Sequence, residues 1–581
     1  MLSSWEAIEH SGPYKFDEDY IDYFTELVKR AGDYDFHVFI NFHQDVWSRV
    51  SGGDGHPLWL FDKVGLDYTK FDEADAAINM QYLWDPDPKK NRYKVMVWGD
   101  NRKLFPASTM WTLFWAGKDF TPKLMVEDEI TGDNINIQDY LQNHFITCVE
   151  KIANNLKDME HVFGFNPLNE PSLGCIGQSV SKRVLKLEKK EDGQYNEPIP
   201  GIAWSPLDTM AAAAGFSRDI EKIGIGIKGL QVKKVMNVNP KNVRIWKDGA
   251  EDFWEFHGVW KIENDEPVAL KDDYFSLVNG RRVDFTADYL VPFHKRISYM
   301  IRKYNRDWLV LIENDPEING PLRYSPWPED MPERAVNAFH WYDIIQLALK
   351  RFFWPITLDL VKLRPVWGMK GIQKMYVRQM KPHIELSKPV NDGEFPLLVG
   401  EFGIAMDMKK GKAYRKWKKK GNKAFKLHEK ILNLMYNALD KLLLSGTLWN
   451  YASYNTNKWG DNWNEEDLSI YSRDQQTEAF NENIYSGARG LGGFCRPYAK
   501  KIAGMPIKMK FKRKTGEFKL VYQPDRNVEN QTEIFVPNYQ YPNGFILDVT
   551  GAKTEENAEE QRIYVHSPWE NEVIVKILRK K

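Results

Sequence analysis

Short apolar runs recur along most of the chain, and each run ends in polar or aromatic residues. They cover residues 36–45, 161–171, 308–315, 335–343, 395–403 and 446–455. Continuous apolar runs of this length are typical of parallel strands that are buried on both faces. Amphipathic stretches such as 17–31 and 137–157 lie between them and predict helices. The repeated order of strand and helix therefore predicts an α/β fold, specifically a (β/α)8 TIM barrel.

The pattern changes from about residue 505 onward, where apolar and polar residues alternate in short segments separated by turn residues. This alternation predicts a small antiparallel β-sandwich. We therefore predict a barrel domain over residues 1–500 and a sandwich domain over 505–581. Long insertions at 46–134, 176–215 and 225–290 are predicted to be irregular and to form the walls of a cleft at the mouth of the barrel.

The polar ends of the six predicted strands suggest where chemistry takes place, because the carboxyl ends of barrel strands line the active site. These ends carry His43, Asp45, Asn169, Glu170, Glu313, His340, Tyr342, Glu401, Trp449 and Asn455. Glu313 is set aside, since a glutamate outside the site is equally consistent with its position.

Glu170 and Glu401 each end a predicted strand, in "LNEP" and "GEFG". Most enzymes that cleave glycosidic bonds use two carboxyl groups, one of them a protonated acid and the other an ionised base or nucleophile. Either glutamate alone could equally be a loop residue or a helix cap. Together, and with the other polar strand ends, they predict a catalytic pair.

Composition and charge narrow the class of protein. The chain has 80 basic and 81 acidic side chains and a net charge of −1, which argues against nucleic acid as a partner. Three widely separated cysteines predict neither a disulfide framework nor a thiolate metal site and favour a reducing compartment. We expect no metal and no cofactor, because no spaced ligand set or phosphate-binding loop is found. No feature of the sequence indicates an obligate protein partner.

One strongly basic run, residues 409–424, is typical of a solvated loop and helix face. Contact with an anionic membrane surface is the alternative. We accordingly expect a cytoplasmic protein, with attachment to the periphery of membranes as the alternative location.

Six motifs along the chain are "FHQDVWSRVSGGDG" (42–55), "STMWTLFWAGKDF" (108–120), "LNEP" (168–171), "FHWYD" (339–343), "GEFG" (400–403) and "LWNYASYNTNKWGDNWNEEDLSIYS" (448–472). Together they resemble glycoside hydrolase family 5, and more narrowly its branch of endoglycoceramidases and fungal β-glucosidases of glucosylceramide and steryl glucosides. The resemblance implies a retaining β-glucosidase that acts on glucolipids, either glucosylceramide or a steryl glucoside, by double displacement. The alternatives are an endoglycoceramidase that releases whole oligosaccharides and a non-catalytic glycolipid-binding remnant.

The resemblance also implies roles for the residues of the reaction centre. Glu170 resembles the general acid/base and Glu401 the nucleophile, and retention of configuration would place their carboxyl groups about 5 Å apart. We expect Glu170 to have a pKa above that of an ordinary glutamate. Asn169 resembles the donor to the sugar 2-hydroxyl, and Tyr342 is expected to donate to Glu401.

The remaining motif residues resemble those that hold the sugar. His43 and Asp45 are expected to bind its hydroxyls, and Trp449 to lie beneath its ring. His340 is expected to support Asn169 or Glu170. Packing in the core is the alternative for His43, Tyr342 and Trp449. Tryptophans of the first insertion are expected to line the site of the lipid aglycone, and these are Trp47, Trp59, Trp98, Trp111 and Trp115.

The start of the chain departs from the family pattern. In the family, the equivalent of "WEAIEH" (5–10) closes the second barrel strand, yet here Met1 falls almost on Trp5. We therefore expect an N-terminal truncation that lacks the first strand, the first helix, most of the second strand and an arginine that orients the nucleophile. Because an incomplete barrel leaves open strand edges, we expect the chain as written to be poorly active.

Overall fold

The computed structural model describes residues 1–81, 90–93, 96–189, 195–196, 198–226, 229–315, 326–362, 364–390, 395–528, 531–568 and 571–580. The chain forms two compact units. The first consists of Met1–Phe339 and His383–Pro396, and the second of His340–Pro382 and Leu397–Lys581. The domain boundary predicted near residues 500–505 stays a prediction.

A parallel sheet forms the centre of the first unit. Its strands, in spatial order, are Leu2–Ser3, Val38–Phe42, Val162–Asn166, Leu309–Ile312 and Ala335–Asn337. Most of their side chains are buried whichever face they point to, as expected for strands covered on both sides. Four of the predicted apolar runs each contain one of these strands, so those four strand predictions are confirmed.

Both helices singled out from the sequence are present, as Glu18–Asp33 and Ile137–Leu156. The first is capped by Asp17, whose carboxylate accepts from the backbone N–H of Tyr20, and the second by Asn136. Among the described residues of this unit, the other α-helices are Trp5–Glu9, Trp59–Lys63, Phe105–Phe120, Pro206–Ala213, Phe253–Phe256 and Val291–Ile301, which directly follows a π-helix over Thr286–Leu290. Short 3₁₀ helices cover Arg49–Ser51, Tyr68–Lys70 and Trp98–Lys103.

The insertions are not irregular throughout, so that prediction was wrong. A long antiparallel hairpin, Arg218–Gly226 with Gly229–Val238, is extended by Gly201–Ile202. Alternation of apolar and charged residues along 218–238 accounts for the hairpin. Smaller antiparallel pairs are Met125–Glu127 with Asn134–Asn136, Glu188–Lys189 with Tyr195–Asn196, Trp260–Glu263 with Glu266–Ala269, and Leu277–Val278 with Arg281–Arg282.

The second unit contains the two remaining predicted strands, Leu398–Phe402 and Ser445–Leu448, which pair in parallel. A hairpin of Ile356–Asp359 and Arg364–Trp367 precedes them. Described helices with residues in this unit are Ile344–Leu349, Gly368–Ser387, Met408–Lys420, Lys426–Leu442 and Leu491–Phe494, with 3₁₀ helices at Gly421–Phe425 and Arg473–Gln475. Strands and helices thus alternate in both units, which confirms the α/β class.

The last 84 residues (498–581) of the second unit carry two antiparallel four-stranded sheets. One sheet has the order Tyr498–Lys501, Thr532–Phe535, Arg562–His566, Lys553–Asn557, and the other has the order Gly504–Lys512, Glu517–Pro524, Val573–Arg579, Phe545–Thr550. Side chains of both sheets, among them Phe518, Ile534 and Val575, pack into one buried cluster. In the part of the chain that the structure describes, no helix is long and apolar enough to cross a membrane.

Candidate active site

Hydrogen bonds of amide side chains connect the ends of two neighbouring strands of the first unit, Val38–Phe42 and Val162–Asn166. The amide of Asn41 donates to the side-chain oxygens of Asn166 (3.2 Å) and Asn169 (3.5 Å). The amide of Gln44 donates to the backbone carbonyls of Asn169 (2.7 Å) and Glu170 (2.9 Å). Gln44 therefore fixes the backbone of the "NE" pair, which is a function that the sequence did not reveal for the middle residue of "HQD".

Glu170 lies at a strained turn, with a backbone φ of +37°. Its backbone N–H donates to Oε2 of Glu313 at 2.9 Å, and Oε1 of Glu313 accepts from the side-chain amide of Asn166. Glu313 is almost fully buried at the end of the next strand of the sheet. Glu313, which was not predicted to belong to the site, is thus a direct hydrogen-bond partner of the Glu170 backbone.

The carboxylate of Glu170 forms an ion pair with Arg102. Nη2 of Arg102 lies 2.5 Å from Oε2 of Glu170, and the two side chains are only 12% and 13% exposed. The guanidinium also lies over the ring of Trp98, 5.6 Å from the ring centroid. Arg102 is thus a charged partner of Glu170 that the sequence did not reveal, and the raised pKa expected for Glu170 stays a prediction.

His43 and Asp45 lie beside this turn. Nε2 of His43 is 3.4 Å from Oδ2 of Asp45, and its Nδ1 is 3.2 Å from Oδ1 of Asn41. Burial raises the pKa of Asp45, while the hydrogen bond from His43 acts in the opposite direction. Two glycines of "SGGDG" permit this packing, since a Cβ on Gly53 would collide with the carbonyl of Asp45 and one on Gly55 with the side chain of Gln44.

Asp54 forms a cluster of titratable side chains with His43 and Asp45. Its carboxylate accepts from the backbone N–H of Asp45 at 3.1 Å, and burial raises its pKa to about 7. The three side chains offer ligand atoms within 4.8 Å of one another, a spacing that could also hold a cation.

In the second unit, Glu401 lies within the strand Leu398–Phe402 and is nearly buried. The hydroxyl of Tyr342 donates to its Oε2 at 2.9 Å, and Nδ1 of His340 is 3.5 Å from the same oxygen. The backbone carbonyl of Glu401 accepts from Trp341 at 2.9 Å. The predicted contact between Tyr342 and Glu401 is therefore present, whereas the contact predicted for His340 with Asn169 or Glu170 stays a prediction.

Trp449 follows the neighbouring strand, and its backbone N–H donates to the carbonyl of Phe402 at 2.9 Å. The Trp449–Asn450 peptide bond is cis. Gly403 lies so close that a Cβ there would collide with the Trp449 carbonyl. Trp449 is thus held against the strand that carries Glu401.

A buried polar cluster supports the loop after Trp449. Two aspartates of the motif "GDNWNEEDLS", Asp461 and Asp467, belong to this cluster. The amide of Asn455 donates to Asp461 (2.7 Å) and Asp467 (3.0 Å), and Asn450 donates to Asp461 at 3.2 Å. Arg489, which is fully buried, pairs with Asp467 at 2.6 Å. Arg489 lies 22 residues beyond Asp467, and no motif in the sequence predicts that the two side chains pair.

The predicted aglycone tryptophans are mostly core residues, and that prediction was wrong for three of the five. Trp47, Trp111 and Trp115 are fully buried and pack in one aromatic cluster of the first unit, where Trp47 meets Trp111 edge to face and Trp111 stacks on Trp115. Trp59 is partly exposed but donates to the carbonyl of Glu9 and packs against Trp5. Of the five, Trp98 is the one in contact with a residue that binds Glu170. The helix Phe105–Phe120 is buried over nearly its whole length, so its aromatic residues serve packing.

Comparison with known proteins gives consistent results for sequence and structure. Residues 496–577 match the family profile described as "Glycoside hydrolase family 5 C-terminal domain". The chain is 30% identical to a glucosylceramidase of Rhizopus delemar over 97% of its own length and 82% of the relative's. It is 29% identical to an ergosteryl-beta-glucosidase of Saccharomyces cerevisiae over 81% of its length and 65% of the relative's.

Among solved structures, the chain is similar to sterylglucosidase 1 of Cryptococcus neoformans, with a TM-score of 0.86, 26% identity and coverage of 100% of this chain and 86% of that one. It shares the fold of endo-glycoceramidase II of a Rhodococcus species, with a TM-score of 0.53, 15% identity and coverage of 100% and 88%.

Proposed function

Since the chain belongs to glycoside hydrolase family 5, we propose that it is a retaining β-glucosidase that hydrolyses glucolipids, with Glu401 as nucleophile and Glu170 as acid/base. The similarity to a glucosylceramidase over 97% of the chain supports the substrate class. The observation that carries the assignment of the nucleophile is the hydrogen bond from Tyr342 to Glu401, which holds a nearly buried carboxylate in one orientation at a strand end.

In this mechanism Glu401 attacks the anomeric carbon while Glu170 gives its proton to the glycosidic oxygen, so the lipid alcohol leaves and a glycosyl-enzyme ester forms. Glu170, now ionised, takes a proton from water, which attacks the same carbon and releases glucose and Glu401. The two inversions retain the β configuration. This chemistry requires the two carboxyl groups about 5–5.5 Å apart.

The other polar residues of the site receive roles that match their chemistry. Asn169, whose amide is fixed by backbone and side-chain partners, donates to the sugar 2-hydroxyl. Asp45 and His43 bind further hydroxyls, since a carboxylate can accept from two of them. Trp449 provides a flat apolar surface beneath the ring. We propose that these residues belong to the (β/α)8 barrel of the family, which a C-terminal β-sandwich follows in the chain.

A panel of three substrates tests the proposal. The purified chain is incubated with glucosylceramide, a steryl glucoside and lactosylceramide, and the released sugar is identified. We expect free glucose from one or both glucosides and no turnover of lactosylceramide. Release of intact lactose would favour the endoglycoceramidase alternative. Lipid binding without release of any sugar would favour the non-catalytic alternative.

We also propose that the basic run 409–424 attaches the protein to anionic membrane surfaces, where its lipid substrates reside. The run contains no Asp or Glu and nine basic residues, all exposed: Lys409, Lys410, Lys412, Arg415, Lys416, Lys418, Lys419, Lys420 and Lys423. Clusters of this kind bind anionic lipid head groups electrostatically.

A further inference from the structure

One hairpin of the second unit, at residues 356–367, has an apolar outer face. Ile356 lies directly opposite Trp367, so the two side chains point to the same side, and they are 49% and 60% exposed. The next pair on this side is Leu358 with Pro365. We call these four side chains the apolar face.

The other side of the hairpin holds it to the unit. Val366 is buried on this side, and Asp359 is fully buried. The carboxylate of Asp359 accepts from Nε of Arg378 and from the side-chain amide of Gln379, both at 3.1 Å and both on the helix Gly368–Ser387. The hairpin is therefore packed on one side, and its apolar face is exposed on the other.

The neighbouring residues in the chain add a second exposed tryptophan and several cations. Trp354, just before the hairpin, is 61% exposed. Asp359 is the one acidic residue in the sequence 344–384, and it is paired with Arg378. Exposed basic residues of the same segment are Arg351, Lys362, Arg364 and Lys370. The exposed charges next to the apolar face along the chain are thus positive.

We propose that the apolar face and Trp354 insert into the interfacial region of a lipid bilayer that contains anionic lipids. Tryptophan is enriched at this depth, where its ring meets hydrocarbon and its N–H meets water. Exposed cations beside it bind anionic head groups. Contiguous apolar side chains at a surface mark an interaction site, because their contact with water is unfavourable.

The choice of a lipid surface rests on the function proposed above, since a hydrolase of glucolipids must reach a substrate that resides in a bilayer. The hairpin is also connected to the segment that carries Tyr342. Asp343 caps the short helix Ile344–Leu349, which precedes the hairpin, and accepts from the hydroxyl of Tyr376 on the following helix at 2.7 Å. Insertion of the hairpin therefore brings this part of the proposed site to the membrane.

Insertion of apolar side chains differs from electrostatic attachment by the basic run 409–424 in its response to salt. Salt screens the attraction between exposed lysines and anionic lipids. It does not weaken the burial of apolar surface in the bilayer interface. The two contributions can therefore be measured separately.

The first test is cosedimentation with vesicles of equal parts phosphatidylcholine and phosphatidylserine, at low and at high salt. Trp354→Ser combined with Trp367→Ser should weaken binding at high salt at least about twentyfold, because two exposed indoles no longer insert. Tyr23→Ser combined with Tyr299→Ser, at two exposed tyrosines of the first unit, is the matched control and should bind as the parent. The proposal is overturned if high salt abolishes binding of the parent, or if the tryptophan variant loses less than about threefold.

The second test uses the conservative variants Trp354→Phe and Trp367→Phe, which keep an apolar ring and each remove one indole. Vesicles whose phosphatidylcholine has brominated acyl chains quench the fluorescence of tryptophans that enter the bilayer. We expect quenching of the parent on binding and a smaller quenched fraction in each variant. Equal quenching in the parent and both variants would overturn the proposal, even if the serine variant did not fold.

Activity separates this proposal from the proposed function. The serine variant should hydrolyse soluble 4-nitrophenyl β-glucoside as the parent does, whereas its hydrolysis of glucosylceramide in vesicles at high salt should fall together with binding. A parent that inserts into vesicles but hydrolyses neither substrate would support insertion and refute the proposed function. A parent that self-associates through the two tryptophans, without salt-resistant binding to vesicles, would assign the apolar face to contact between copies and overturn the proposal.

Discussion

The hydroxyl of Tyr342 is the group whose removal tests the role of Glu401 with the smallest change in structure. Tyr342→Phe deletes one oxygen and keeps the ring. The lost interaction is a 2.9 Å hydrogen bond to a nearly buried carboxylate. A hydrogen bond to a charged group contributes about 1.5–3 kcal/mol, which corresponds to a rate factor of about 10 to 150. We expect kcat/KM for a β-glucoside to fall by that factor.

The pH profile should change in a defined direction. Because the hydroxyl donates to the ionised carboxylate, its removal makes that form less stable. The acidic limb of kcat/KM depends on an ionised nucleophile, so it should move to higher pH in Tyr342→Phe. His340 remains 3.5 Å from the same oxygen and should keep part of the stabilisation.

The assay is steady-state hydrolysis of 4-nitrophenyl β-glucoside between pH 4 and 9, with thermal unfolding as a check on folding. Tyr299→Phe, at a tyrosine that is 72% exposed, is the control and should behave as the parent. A folded Tyr342→Phe enzyme with a loss of less than about threefold and an unmoved acidic limb would refute the reasoning.

Three further predictions follow from the site and its surroundings. Both carboxylate oxygens of Glu313 accept hydrogen bonds, and Glu313→Gln replaces one of them by an amide group that faces a donor. We expect kcat to fall about tenfold or more, with little change in KM. Glu329→Gln, at an exposed glutamate, is the control and should have no effect. Arg489→Met leaves the carboxylate of Asp467 buried without its cation. We expect the free energy of unfolding, measured by chemical denaturation, to fall by about 3–5 kcal/mol, and a change below about 1 kcal/mol would contradict this. Replacing lysines 418–420 by glutamine should weaken cosedimentation with phosphatidylserine vesicles about a hundredfold, at about 1 kcal/mol for each charge, and equal binding would contradict membrane attachment.

The strand ends were predictable because their signals are local. An apolar run followed by polar residues marks both a buried strand and its carboxyl end, which is why Glu170 and Glu401 could be placed at strand ends. The placement of the strand ends needs no knowledge of how distant segments pack. The contact between Tyr342 and Glu401, which are 59 residues apart, was expected only from the resemblance to the family.

The partners of these residues could not be predicted, because they depend on packing between segments far apart in the chain. Arg102 reaches Glu170 from an insertion 68 residues earlier, and Glu313 reaches its backbone from 143 residues later. Trp111 was wrongly predicted for the same reason. Because it lies in an insertion, it was expected to line the site of the lipid aglycone, but it is fully buried in a core helix. Composition alone cannot distinguish an exposed aromatic surface from a buried one.

The most direct test of the proposed mechanism is to trap the glycosyl-enzyme. Incubation with 2-deoxy-2-fluoro-β-glucosyl fluoride releases fluoride and should leave one fluoroglucosyl group in an ester with the carboxylate of Glu401. Mass spectrometry of the intact protein and of its peptides locates the label. We predict one label per chain, on the peptide that contains Glu401, and none in Glu401→Gln. A label on another residue, or turnover of β-glucosides with inverted configuration, would contradict the mechanism.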